Sequence, residues 1–194
     1  MDGAVSSRVV RLADHRRDAW SAADAVWEQA ATAAVAALAR GERLRAALLL
    51  PRAEAVARQS LPADDPRRAA SLTLLARWQI GLGNRAQAAR LLDEAGRAWS
   101  AAGAWAERLR PAGADPAGRA ECRRMLGSAS ALAAALAGGR GDPALLPPAL
   151  PPEALARLSP DRRKLVAAVS LATARLVPAT RDADGSAASR ATRS

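Results

Sequence analysis

The chain has 194 residues, a formal net charge of +10 and a hydrophobic fraction of 50%, more than half of it alanine, at 54 positions. It has no Phe, no Tyr, nine Val and a single isoleucine, Ile80. Strands draw on β-branched and aromatic residues, so this composition excludes a sheet protein, and the one cysteine, Cys122, excludes an internal disulfide.

What remains is helix. Alanine is the strongest helix former and lets helix backbones approach closely. Leu, Val and Ile number only 35, so the expected fold is helical with a thin core. All but one of the 29 basic residues are arginine, the exception being Lys164, and no five like charges are consecutive. That diffuse positive field attracts acidic partners. It lacks a helix-turn-helix signature or interleaved aromatics, so nucleic acid is the weaker alternative. The opening "MDGAVSSRVVRLADHRR" has no apolar core of the signal-peptide kind, and the apolar run 30–39 is too short to span a bilayer. A cytoplasmic protein of a bacterium-like, GC-rich organism, with no membrane partner, is expected.

In chain order, residues 1–15 are expected to be flexible and residues 12–40 to form one long helix or two. Trp20 and Trp27 lie seven apart and share a face, as a core contact or as a partner-binding pair. A turn at Gly41 opens a second helix, in which Pro51 removes a backbone hydrogen bond and crowds the carbonyl of Ala47, so a kink or break is expected there. Asp65 is a candidate N-cap and Pro66 fits the first position of a helix over 66–80, with Leu72, Leu75 and Gln79 at helical spacing. "GLG" at 81–83 ends it, and Asn84 can cap the next helix. That helix runs to about Ser100 and is expected to end at Gly103, with Trp99 and Trp105 packing at a boundary. A further helical stretch covers 114–139. Residues 140–158, with prolines at 143, 147, 148, 151 and 152, read as a linker. Ser159 and Pro160 start a last helix, 159–177, striped by Leu165, Val169, Ala172 and Leu176. It either covers the open end of the helical array or acts as a detachable recognition helix. Residues 178–194 lack apolar periodicity and are expected to be a disordered tail.

A shift of 42 residues aligns "GERLRAALLLPRA" (41–53) with "GNRAQAARLLDEA" (83–95), with seven identities in 13 positions. Glycine, then alanine five residues later, a large residue four beyond and alanine three beyond again reads Gly41, Ala46, Leu50, Ala53 in one copy. In the other it reads Gly83, Ala88, Leu92, Ala95. Ala34 and Ala76 are the matching small residues of the preceding helices. No third copy of the series is clear in 114–139. Over residues 27–103 the pattern resembles the tetratricopeptide repeat, in a longer variety.

The resemblance implies an all-α fold of antiparallel hairpins over 16–139, stacked as a short right-handed solenoid. It implies a groove that binds an extended peptide or a helix of another protein, and hence a non-catalytic adaptor. The matching groove positions are Ala31, Val35 and Leu38 in the first copy and Thr73, Arg77 and Ile80 in the second. Arg77, with Arg119, Arg123 and Arg124 nearby, points to an acidic or C-terminal carboxylate ligand, since guanidinium binds carboxylates bidentately. No catalytic, metal or cofactor set is evident. His15 stands alone, Cys122 lacks a histidine partner in sequence reach, and "GLGN" ends a helix and follows no strand.

Overall fold

The structure, a computed structural model, describes residues 21–108, 116–138 and 160–174. The expectations for the two termini, the linker, His15 and Trp20 lie outside the described residues, as do the side chains of Trp105, Arg119 and Cys122. Six helices are described: α1 Ala22–Ala39, α2 Arg43–Ser60, α3 Pro66–Gly81, α4 Arg85–Arg108, α5 Pro116–Ala137 and α6 Pro160–Thr173. Among the described residues there is no strand, and no helix is long and apolar enough to cross a membrane.

Local chemistry sets the helix ends. α1 begins at a capping box: the Ser21 hydroxyl accepts from the Asp24 N–H at 3.2 Å, and the Asp24 carboxylate accepts from the Ser21 N–H at 2.6 Å. α3 starts at Pro66, with the Asp65 side chain accepting from the Arg67 N–H. The two glycine turns are copies of one device. Gly41 and Gly83 have φ of 72° and 80°, the only positive values among the described residues. In the first turn Glu42 N–H donates to Ala37 C=O and Gly41 N–H to Leu38 C=O; in the second Asn84 donates to Gln79 and Gly83 to Ile80. This is the paired bonding of a helix stopped by a left-handed residue.

Neither the helix break expected as one outcome at Pro51 nor the helix end expected at Gly103 occurs. α2 continues through Pro51. Pro51 and Ala47 both lie on the exposed face, where water can replace the lost hydrogen bond. α4 continues past Gly103 to Arg108, and its buried stripe of Ala95, Trp99 and Ala102 runs up to that glycine. One helical glycine costs only about 1 kcal/mol relative to alanine, less than that burial supplies.

α1 packs on α2, α3 on α4, α2 on α3 and α4 on α5. The core is built largely from alanine: Ala30, Ala31, Ala53, Ala57, Ala69, Ala70, Ala76, Ala95 and Ala102 all join one buried cluster. Trp27 of α1 and Trp99 of α4 are its bulk, and both indoles are satisfied on α3. The Trp27 Nε1–H donates to Ser71 Oγ at 2.8 Å, and the Trp99 Nε1–H to Thr73 Oγ1 at 3.1 Å. α3 therefore holds two large side chains, one from α1 and one from α4, through the hydroxyls of Ser71 and Thr73.

Candidate functional site

α6 lies against α3, α5 and α1, the side on which a partner groove is expected. Its residues from Lys164 to Val169 are all buried, as are Ala172 and Thr173. Burial in six consecutive positions leaves it little open surface. The same ends of α1, α3 and α6 meet: Asp24 pairs with Arg67 and Lys164 near one end, and Arg77 reaches Ala172 and Ala174 near the other. The three helices thus run in the same direction.

The sequence-derived groove residues divide accordingly. Ala31 and Thr73 are fully buried, and the Thr73 hydroxyl serves Trp99. Val35 and Leu38 are half-buried against a small cluster of Ala34, Ala37, Ala46, Leu50 and Leu74, which Leu171 of α6 also touches. Arg77 donates to the Ala172 carbonyl at 2.6 Å and to the Ala174 carbonyl at 2.7 Å. Those are carbonyls at the end of α6, which lack helical partners, so Arg77 caps the chain's own helix. Burial pushes its guanidinium down to about 10, still protonated at neutral pH. Ile80 and Arg123 are exposed. The face expected to be an open groove is therefore filled by the chain itself. The repeat positions are structural throughout: Ala34, Ala46, Leu50, Ala53, Ala76, Ala88, Leu92 and Ala95 are all buried, and Gly41 and Gly83 form the turns.

Under α6 lies an ion network that sequence reasoning missed. Arg67, 1% exposed, grips Asp65 with both arms, Nε to Oδ1 at 2.8 Å and Nη2 to Oδ2 at 2.6 Å, and turns Nη1 to Asp24 Oδ1. It also stands over the Trp27 ring, 5.7 Å from the centroid. Lys164 Nζ of α6 is 3.9 Å from Asp24 Oδ2, and nearby Arg163 Nη2 meets Glu28 Oε2 at 2.5 Å. Burial alone raises the Asp24 carboxyl, but the Ser21 N–H and Arg67 outweigh it and hold it below its ordinary value. Burial likewise opposes the Arg67 charge, and its two carboxylates more than offset this. The signals in sequence were slight: a Ser-x-x-Asp box and the one lysine of the chain.

The opposite arrangement holds on α2. It buries small residues, Ala46, Ala53 and Ala57, beside Leu50, and turns two leucines outward: Leu44 is 86% exposed and Leu48 76%. Pro51 and Ala55 continue that line, Pro51 exposed and Ala55 half-exposed. Arginines border it: Arg43, Arg45, Arg52 and Arg58 all stand exposed on the same helix. No family model matches the chain, and neither a curated protein nor a solved structure matches it.

Proposed function

We propose that the protein is a non-catalytic adaptor of the cytoplasm, a short right-handed solenoid of tetratricopeptide-like hairpins that binds another protein. The two glycine turns with the same bonding, 42 residues apart, support the repeat reading. The observation that carries the adaptor reading is the outward pair Leu44 and Leu48, on a helix whose inward positions are mostly alanine. Apolar surface set out in this way, rimmed by charge, marks an interaction site. The face of α1, α3 and α5 is occupied by α6, and among the described residues this side of the first hairpin stays open to a partner.

Photo-crosslinking in cells tests the reading. A benzophenone amino acid at Leu48 should give one discrete protein adduct, and the same group at Arg97 on α4 should give none. The purified adduct partner should bind the wild-type chain and lose binding to Leu44→Gln/Leu48→Gln. Equal adducts at both sites, or salt-sensitive retention on duplex DNA in place of any protein adduct, would favour a basic nucleic-acid-associated protein.

A further inference from the structure

We infer that the partner docks on α2 as an acidic amphipathic helix, which is an inference that rests on the adaptor reading and names its ligand. Two features of α2 point to this ligand. The first is shape: Leu44, Leu48, Pro51 and Ala55 are spaced four, three and four residues apart. That spacing makes a seam one residue wide along the helix, which is what a second helix covers with its own seam. A helix that lies in a lipid surface shows a broader apolar face with aromatic anchors, and α2 has no aromatic residue.

The second feature is charge. Arg45 and Arg52 border the seam on one side, Arg58 and Arg43 on the other. Arg45 and Arg58 keep 61% and 60% of their side-chain surface exposed. Their acidic partners are few. Glu42 is shared between Arg40 at 2.5 Å and Arg45 at 3.3 Å, and Glu54 pairs with Arg58 at 3.2 Å. Among the described residues Arg43 and Arg52 have no ion pair. A helix carrying leucines on its seam and glutamates on both borders would meet apolar with apolar and each guanidinium with a carboxylate. Guanidinium geometry favours that pairing, and it also raises the association rate at low salt.

The test uses the full chain and two synthetic peptides of α2's length, each with leucines at the seam spacing, one with glutamate borders and one with lysine borders. The glutamate peptide is expected to bind, and its affinity to fall as salt rises. Leu44→Gln/Leu48→Gln is expected to weaken it at least tenfold, as loss of a central apolar anchor does. Both sites are exposed, so this variant should melt as the wild type does. Arg45→Glu/Arg52→Glu is expected to reverse the preference toward the lysine peptide. Equal binding of both peptides would overturn the acidic-partner inference. Binding of neither peptide, with the crosslinked protein of the previous test still lost in Leu44→Gln/Leu48→Gln, would overturn it too and leave the adaptor reading standing. Binding of phosphatidylglycerol vesicles or duplex DNA that the same leucine substitutions abolish would replace it with a lipid or nucleic-acid site.

Discussion

Gly83 and Gly103 are both glycines near helix ends in the sequence, and their structural states are opposite. Gly83 has a φ of 80°, whereas Gly103 lies inside α4 without such a φ, and a Cβ at either would meet nothing within 4 Å. Space is therefore not the issue; backbone conformation is. Gly83→Val is expected to cost about 1–3 kcal/mol through strain at positive φ. Gly103→Ala is expected to stabilise by about 0.5–1 kcal/mol, and thermal melts of the two variants check both signs. The buried cations differ in a similar way. Arg67 faces two carboxylates, so Arg67→Met takes the guanidinium from Asp65 and leaves Asp24 with the more distant Lys164, and is expected to cost about 3–5 kcal/mol. Arg77 faces only neutral carbonyls, so Arg77→Met is expected to cost less, and urea midpoints of the two variants rank them. Asp24 also sets a pH dependence. Its folded value lies below its unfolded one, near 3.9, so its stabilisation is present above the unfolded value and is lost as pH falls through the folded one. Asp24→Asn should be less stable at neutral pH and lose less stability between about pH 5 and pH 2 than the wild type. The turn glycine was legible in the sequence because positive φ is a local demand. The Asp24–Arg67 pair was not, because it joins residues 43 apart whose meeting depends on how α1 and α3 pack.

At the scale of elements, periodicity located most of the helices but misjudged their interruptions. Asp65–Pro66 marked the start of α3 because a cap and a fixed φ act on neighbouring residues alone. Pro51 and Gly103 misled because a single local penalty of a few kcal/mol is smaller than the packing of a whole helix face. Pro51→Ala restores the missing N–H and is expected to raise stability by about 1–3 kcal/mol, read by chemical denaturation. Ala88 shows the reverse constraint. It is 2% exposed at a helix contact, so Ala88→Leu is expected to destabilise by about 1–3 kcal/mol through overpacking. The stripe Leu165–Val169–Ala172 gave α6 an apolar side to bury but left open whether it is packed or detachable, and a stripe does not name the surface it is buried against.

For the whole molecule, the placement of α6 decides which surface is free. Its six consecutive buried residues, the Arg77 cap on its last carbonyls and the ion pairs of Arg163 and Lys164 with α1 make it part of the core. Its placement was not legible because only three-dimensional contacts put it against α3. If α6 is integral, the side of α1, α3 and α5 that it covers is closed, and the seam on α2 is the docking surface. Native-state amide hydrogen exchange of the full chain is the most direct test. Amides of 165–172 should exchange with the same opening free energy as those of 72–76 in α3, and with the same denaturant dependence, because both open only when the molecule unfolds. Exchange of 165–172 through a low-energy local opening, while 72–76 stay protected, would contradict this. It would make the face beneath α6 the site a partner enters.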